Sequence, residues 1–555
     1  MRRDCLIAGL FLWIALGSQS SEAQYTADFQ TNIISGVTSN WSSAYLVGYT
    51  NFADVLVIQN SGVLSNGTGN LGLGAGSSNN SVVVTDLGSV WSNRFDLYMG
   101  SAGAGNSLVI SNGGRVISGP GGQDLDSVGR DMSSSNNHVV LTGSGSAWVE
   151  NQSQFLFGVS GAGNTLAVNN GGLLAVGGTS YVGYNAGSSN NSILVADSGS
   201  LWTNKSNLFI GYAGAGNSLV VSNGGQVVSS LGTLSKSCDV GHNSGGNGVL
   251  ISGPGSAWNV GAASTHIGDS GAGNSLTIRN AGLVAGDEGV VGYNVSSSNN
   301  TVLVSGSGST WSNGTGLYVG YSGAGNGLTI SLGGKVVCSS GFVGLGTSGS
   351  SNSVRVADSG VWENNVLYVG YQGSSNSLVI DNNPAGPGGA KVLATNLIVG
   401  AASATCDNVL EVNHASLIVT NSTGTGVLEV RHGQLILNGG LLQADTLVMT
   451  NSCGSFIHTG GTLVVGELVL DPNTFRIVSI VRQTNDLLIT WMMGPGATNA
   501  LQVATGGSDG SYHTNGFSDI FTVTNNATIG TVTNYLDLGA ATNVPGRYYR
   551  ARLVP

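Results

Sequence analysis

The sequence predicts an all-β protein. We expect a right-handed parallel β-helix with three short strands per coil of about 27 residues, followed by a small β-sandwich-like domain. Three observations predict this fold. Tryptophan recurs about every 50 residues. Two sets of equivalent residues, which we call columns, recur about every 27 residues. Turns rich in Gly, Asn and Ser separate short apolar runs. A fixed period of this length is typical of a stacked repeat.

The composition favours strands joined by tight turns. Glycine supplies 91 of the 555 residues, apolar residues make up 41% and charged residues only 8%. A disordered chain would carry more charge and less apolar surface. The net charge is −11, and there are only 17 Lys and Arg residues, so nucleic acid is not an expected partner.

Residues 1–23 are predicted to be a signal peptide. Arg2 and Arg3 precede an apolar run over 6–16 that is short for a membrane span, and 21–23 fit a cleavage site. The alternative is an uncleaved membrane anchor. We expect a secreted protein, extracellular or on the surface of a bacterium, with no transmembrane segment in the mature chain.

Two columns of residues reveal the finer period. The first column is a Gly that follows an apolar residue: Gly48, Gly72, Gly100, Gly129, Gly158, Gly183, Gly211, Gly241, Gly268, Gly292, Gly320, Gly344, Gly370 and Gly400. The second column is an amide or acid that precedes a strand: Asp54, Asn80, Asn106, Asn137, Asn164, Asn191, Asn217, Asn247, Asn274, Asn300, Asn326, Asn352, Asn376 and Asn408. The two columns keep one register, which predicts about fourteen recognisable coils and several degenerate ones beyond them.

Each coil is predicted to hold three strands, as in 328–330, 335–337 and 342–343. A single coil cannot bury its apolar face, but coils stacked at ~4.8 Å form a continuous core. Equivalent residues then lie above one another, and the amide column becomes a ladder of hydrogen bonds. The rival fold is a β-propeller, whose blades have no 27-residue subperiod.

The chain is predicted to divide near residue 470. The β-helix spans 24–470, with degenerate capping coils from about 400 that shield the open sheet edge. From 471 to 555 the composition changes. Alternating strands at 487–491 and 548–552 are typical of a small β-sandwich-like domain of six or seven strands.

Four cysteines follow the signal peptide, namely Cys238, Cys338, Cys406 and Cys453. They lack the paired spacing of metal ligands. We interpret them as small buried apolar residues. Because export permits disulfides, a bond between neighbouring coils through Cys406 and Cys453 is the alternative.

Three sequence blocks resemble a known class. The blocks Gly-Ala-Gly-Asn-Ser-Leu, Ser-Ser-Asn-Asn and Gly-Ser-x-Trp resemble the repeat of autotransporter passenger domains and certain exported bacterial surface proteins. This resemblance covers roughly 40–470 and implies an extracellular β-helix of unknown or adhesive function. The segment 547–553 resembles fibronectin-type or immunoglobulin-like modules that close many secreted bacterial proteins.

β-Helices also include enzymes that cleave acidic polysaccharides, which need converging carboxylates. The most charged spot in the predicted coils holds Asp124, Asp126, Arg130 and Asp131. The same column elsewhere holds Lys236 and Asp287, which lie ~19 and ~29 Å away at one strand spacing per coil. These groups cannot converge, so we interpret the spot as a solvated turn and predict no catalytic residue, cofactor or metal.

Other polar residues align with ordinary positions of the repeat. Asp86 and Asp197 occupy a place where other coils have Gly, which indicates a turn. His242 and His266 stand where other coils have Tyr, and His138 stands where another coil has Ser. We interpret the three histidines as neutral substitutions without a partnered acid.

One set of aromatic residues is the predicted binding surface. Its members follow the Gly column: Tyr49, Tyr184, Tyr212, Tyr293, Tyr321 and Tyr371. A second aromatic set is Tyr98, Phe209, Tyr318 and Tyr368. An outward-facing column would offer rings to sugars or to a protein partner, whereas an inward-facing one would pack in the core.

The expected function is that of an exported structural or adhesive surface protein. It would present a rigid β-helix rod without catalysis, and its partner would be an extracellular polysaccharide or a cell surface. The alternatives are a glycan-binding β-helix and a polysaccharide lyase or hydrolase that acts on extracellular polysaccharide.

Overall fold

The computed structural model describes residues 25–120, 125–151, 153–230, 237–382, 389–402, 406–451, 453–470, 476–493, 496–507, 511–512, 516–526, 531–542 and 546–554. The predicted signal peptide, Asp124 and Lys236 lie outside the described residues. Within these ranges the one helix is a 3-10 turn, Ala540–Thr542. No helix in this part of the chain is long and apolar enough to cross a bilayer.

Parallel strands stack in three sheets that run the length of the repeat region. The first sheet contains Thr31–Ser35, Val55–Gln59, Ser81–Thr85, Ser107–Ser111, His138–Thr142, Thr165–Asn169, Ser192–Ala196, Ser218–Ser222, Gly248–Ser252, Ser275–Arg279, Thr301–Ser305, Gly327–Ser331, Ser353–Ala357, Ser377–Asp381 and Asn408–Asn413. The second contains Thr38–Asn40, Val63–Asn66, Val90–Asn93, Arg115–Ser118, Ala147–Glu150, Leu173–Val176, Leu201–Asn204, Gln226–Val228, Ala257–Asn259, Lys335–Val337, Val361–Glu363, Lys391–Ala394 and Ala415–Val419. The third contains Tyr45–Val47, Gly69–Leu71, Leu97–Met99, Leu125–Val128, Gln154–Phe157, Thr179–Val182, Leu208–Ile210, Ser237–Val240, Ser264–Ile267, Ser340–Val343, Val366–Val369, Asn396–Val399 and Val427–Val430.

Four long strands bend through more than one sheet. Leu283–Val291 and Thr310–Val319 pass from the second sheet into the third, and Gly433–Met449 and Gly454–Leu470 pass through all three. The stack therefore begins one coil before Asp54 and continues for two coils after Asn408.

The parallel β-helix with three strands per coil is confirmed, and the β-propeller alternative is wrong. Each strand pairs in parallel with its equivalent in the next coil, as Leu166 does with Ile193 and Ile193 with Leu219. These inward side chains are fully buried and belong to one continuous core. The right-handed sense of the coil stays a prediction.

Tryptophan fills the core in alternate coils. Trp202 of the second sheet lies between Leu174 and Val227 in register and is fully buried. Five further tryptophans of this column are equally buried, namely Trp91, Trp148, Trp258, Trp311 and Trp362. The 50-residue period of the sequence is therefore twice the coil length, with a smaller residue in the coil between.

The amide column forms one continuous ladder, as expected. The Oδ1 atom of Asn191 accepts hydrogen bonds from the backbone N of Asn164 at 3.0 Å and from its Nδ2 at 2.8 Å. Asn191 repeats both bonds toward Asn217, each at 2.9 Å. Equivalent backbone bonds run from Asp54 to Asn408. All these side chains are buried, so each amide satisfies polar groups that water cannot reach.

The Gly column and the amide column are parts of one contact. At Gly183 the φ angle is +69°, and a Cβ atom there would lie 2.2 Å from Asn217 Nδ2 in the following coil. A side chain would therefore displace the ladder amide. This contact explains why the two columns recur with one period in the sequence.

The prediction for the cysteines is half right. Cys238 and Cys338 are free and buried, as predicted. Cys406 and Cys453 form a disulfide with a Cα–Cα distance of 5.3 Å, so their interpretation as buried apolar residues is wrong. The bond does not join neighbouring coils, because the coil that begins at Gly433 lies between the two cysteines. It joins the turn that leads into the coil beginning at Asn408 to the turn that leads into the last coil, Gly454–Leu470.

The described residues of the C-terminal segment form two antiparallel sheets of three strands each. One sheet contains Arg476–Gln483, Asp486–Met493 and Thr531–Asp537, and the other contains Thr498–Thr505, Ser518–Thr524 and Arg547–Val554. A shared core around Trp491 and Leu501 holds the two sheets together, as expected for a small sandwich.

Candidate functional site

The predicted tyrosine column lies on the outside of the coils. All six of its members follow strands of the third sheet and are at least partly exposed, with Tyr49 exposed at 49%. Further aromatic residues of the third sheet point outward beside the column, among them Tyr98, Tyr181, Tyr318, Phe342 and Tyr368. Together they form an aromatic stripe along one edge of the rod.

Most rings of the aromatic stripe cover one another. Tyr184 and Tyr212 are stacked, with centroids 5.3 Å apart and an interplanar angle of 8°. Tyr318 and Phe342 are stacked in the same way at 5.0 Å. Rings stacked along the rod present mainly their edges to solvent, which reduces the area available to the flat face of a sugar. Sugar binding by this column stays a prediction.

Four polar side chains interrupt the aromatic stripe, and we call them the His–Asp cluster: Asp239, His242, His266 and Asp269. Asp239 and His266 are paired in the third sheet, so one lies directly above the other. His242 and Asp269 lie three residues further along the same two coils. The order of acid and base is thus reversed between the coils, and each histidine lies near both carboxylates.

The His–Asp cluster has short distances throughout. His242 Nδ1 donates a hydrogen bond to Asp239 Oδ2 at 2.7 Å and lies 3.5 Å from Asp269 Oδ2. His266 Nδ1 lies 3.3 Å from Asp239 Oδ1 and 3.4 Å from Asp269 Oδ1. Asp239, His266 and Asp269 each offer one ligand atom, and these atoms all lie within 4.8 Å of one another.

Burial and charge act against each other in the His–Asp cluster. The hydrogen bond to Asp239 raises the pKa of His242 above its usual value, although burial lowers it. Burial also lowers the pKa of His266, but the contacts with Asp269 and Asp239 outweigh this effect, so the net shift is upward. Burial raises the pKa of Asp269, and the two histidines bring it below its usual range. His242, His266 and Asp269 therefore favour their charged forms.

The interpretation of His242 and His266 as histidines without a partnered acid is wrong. The sequence contains a pattern that could have predicted these contacts. Asp239-Val-Gly-His242 is followed one coil later by His266-Ile-Gly-Asp269. Stacking two such segments at one coil spacing places unlike residues above each other. Aligning His242 and His266 with the tyrosines of other coils does not show that acid and histidine exchange positions between these two coils.

Asp126 is not in a solvated turn, which corrects the second polar interpretation. It belongs to Leu125–Val128 of the third sheet and pairs with Phe155, so its side chain points into the core and is fully buried. Its carboxyl accepts hydrogen bonds from Ser118 Oγ and, at 2.7 Å, from the backbone N of Leu97. Burial raises the pKa of Asp126 to about 7, although both hydrogen bonds lower it.

The neighbours of Asp126 in the charged spot lie elsewhere. Arg130 and Asp131 are exposed, and the Arg130 guanidinium lies 5.0 Å from the ring centroid of Tyr98. The three described residues of the charged spot therefore do not form a common site.

Substitution Asp126→Asn is expected to remove one source of pH dependence. The folded-state pKa lies above the ordinary value, so the stability that the protonated group contributes is present below about pH 4 and lost as the pH rises through about 7. The variant should gain roughly 4 kcal/mol over the wild type between pH 4 and pH 8, because a shift of about three pKa units acts over this range. Thermal unfolding of both proteins across this range measures the difference. If the stability of the two proteins changed with pH in the same way, the raised pKa of Asp126 would be contradicted. Asp54 and every other acid remain in both proteins, so only Asp126 can cause a difference.

Known proteins offer little guidance to the site. No protein-family model and no curated protein matches this chain. Among solved structures, the crystal structure of a TibC-catalysed hyper-glycosylated TibA fragment is similar, with a TM-score of 0.30 and 13% sequence identity. The match covers 79% of this chain and 99% of that chain. A likeness at this TM-score carries no argument about function.

Proposed function

We propose that this chain is an exported, non-catalytic β-helix rod that acts as a structural or adhesive protein at a cell surface. The observation that supports it is the uninterrupted stack, in which three parallel sheets, one core and one amide ladder extend through the coils. Each coil contacts only its neighbours, so such a stack is long and stiff for its mass. A stiff rod suits a protein that spans a distance and presents a surface.

The outer face of the first sheet suits contact with an uncharged partner. Val83, Val109 and Val140 form an outward file in successive coils and are partly exposed. Hydroxyl residues flank this file, among them Ser107 and Ser111. A flat face of aliphatic and hydroxyl groups that repeats every ~4.8 Å can make many weak contacts with a regular polymer at once. An extracellular polysaccharide is the partner that fits this chemistry.

A binding and turnover assay on the purified mature chain tests the proposal. We expect retention on at least one insoluble neutral polysaccharide and no release of sugar from a panel of neutral and acidic polysaccharides. Substituting Val83, Val109 and Val140 together by Asp should weaken retention at least ~10-fold, because it places three charges on the face. The control Leu87→Asp changes an exposed turn residue and should bind as the wild type does.

Two outcomes would overturn the proposal. Turnover that Asp126→Asn or Asp239→Asn abolishes would make the protein an enzyme. Retention that is equal in the wild type and the triple variant would exclude the first-sheet face as the adhesive surface. Circular dichroism of each variant shows whether the coils remain folded.

A further inference from the structure

We propose that Asp239, His266 and Asp269 bind a divalent transition-metal ion such as Zn²⁺. This site is independent of the adhesive face, because it lies on the aromatic stripe rather than on the first sheet. One imidazole nitrogen and two carboxylate oxygens make up a donor set that Zn²⁺ prefers.

The distances fit a metal ion better than a set of ion pairs. Zinc binds nitrogen and oxygen at about 2.0–2.2 Å, so two ligands of a tetrahedral ion lie about 3.3–3.5 Å apart. His266 Nδ1 lies 3.3 Å from Asp239 Oδ1 and 3.4 Å from Asp269 Oδ1. A charge-assisted hydrogen bond between the same groups would be about 2.7–2.9 Å long.

Two of the three donor atoms are buried without a hydrogen-bond partner among the described residues. Asp239 is fully buried and His266 is 8% exposed. Neither Asp239 Oδ1 nor His266 Nδ1 has a hydrogen-bond partner among the described residues. Buried polar atoms are almost always paired, so two facing atoms of this kind are suited to sharing a cation.

Neighbouring rings hold the histidines in place. His266 stacks on Tyr293 with centroids 4.8 Å apart, and His242 stacks on Tyr212 at 4.9 Å. His242 also donates to Asp239 Oδ2, which leaves Oδ1 of that carboxylate directed at His266. We assign His242 as a positioning residue that orients the Asp239 ligand.

The cluster also has the charge that a cation requires. Acidic residues number only 28 in this chain, yet two carboxylates lie against one histidine in a partly closed site. Asp269 keeps a side-chain exposed fraction of 15%, so an ion can enter from solvent at this corner. A bound cation would balance the two carboxylates.

Metal titration of the full mature chain without a polyhistidine tag tests the proposal. The protein is first dialysed against a chelator and then titrated with Zn²⁺ by calorimetry and with Co²⁺ by visible absorption. We expect about one ion per chain, Co²⁺ bands typical of a four-coordinate site, and displacement of Co²⁺ by Zn²⁺. Zinc should also raise the thermal unfolding midpoint, because it binds the folded chain.

Matched variants decide whether the named residues are the ligands. His266→Gln and Asp269→Asn should weaken Zn²⁺ binding more than ~10-fold, whereas His138→Gln, an exposed histidine of the first sheet, should not change it. If His266→Gln fails to fold, Asp269→Asn, which changes a partly exposed residue, shows whether the cluster binds Zn²⁺. No stoichiometric binding by the wild type, or equal binding by the wild type and Asp269→Asn, would overturn the proposal.

Discussion

Replacing Asn191 by alanine is expected to lower the free energy of local unfolding around its coil by about 3 kcal/mol. The backbone N–H and Nδ2 of Asn164 both donate to Asn191 Oδ1, and alanine removes that acceptor. The amide of Asn191 itself donates to Asn217 Oδ1 and to Ser188 Oγ, at 2.9 and 3.0 Å. Because the site is fully buried, water cannot replace these partners.

Hydrogen exchange followed by mass spectrometry measures the effect of Asn191→Ala. Amides in strands 165–169, 192–196 and 218–222 should exchange roughly 100-fold faster, since 1.4 kcal/mol corresponds to a factor of ten. The control is Asn185→Ala in the same coil, where the side chain is exposed and donates to Ser160 Oγ. We expect this control variant to lower the free energy of local unfolding by less than about 0.5 kcal/mol. Equal exchange in the two variants would show that the ladder adds no stability.

Removing the disulfide between Cys406 and Cys453 is expected to lower the free energy of unfolding by roughly 4 kcal/mol, because the bond closes a loop with a sequence separation of 47 residues. The last coil, Gly454–Leu470, has only one neighbouring coil, and most of its side chains are partly or fully exposed. Phe456, Leu463 and Val465 still pack against the core. Without the bond, this coil should separate from the stack far more often.

The double variant Cys406→Ser, Cys453→Ser measures this contribution. Hydrogen exchange should accelerate over 433–470, and the central strands 165–222 should not change, so the molecule contains its own control. The wild type in a reducing agent should behave like the variant. If neither treatment affects 433–470, packing alone holds the last coil.

The fold follows from the sequence because stacking makes the period visible. Asn191 and Asn217 lie 26 residues apart in sequence and are hydrogen-bonded in space. One period therefore predicted the parallel sheets, the continuous core and the ladder. Positive φ angles at Asp86 and Asp197, 78° and 72°, also confirm the predicted turn. The described part of the C-terminal segment contains six strands, which is within the predicted range.

The His–Asp cluster depended on contacts that the period does not describe. A repeat aligns Asp239 with His266 along one column, but the distance between His266 and Asp269 crosses two columns and depends on side-chain direction. The burial of Asp126 depended on the strand pleat, because a shift of one residue reverses the face to which a side chain points.

The sequence by itself determined which residues stack, since equal coil lengths place equivalent residues one above another. Only the tertiary structure decided which side chains meet across columns, which carboxyl enters the core and which cysteines bond. Coil length sets spacing along the rod, whereas these contacts depend on the direction of each side chain and on the path of each turn. That is why Asp239, Asp126 and Cys453 acquire their roles only in the folded chain.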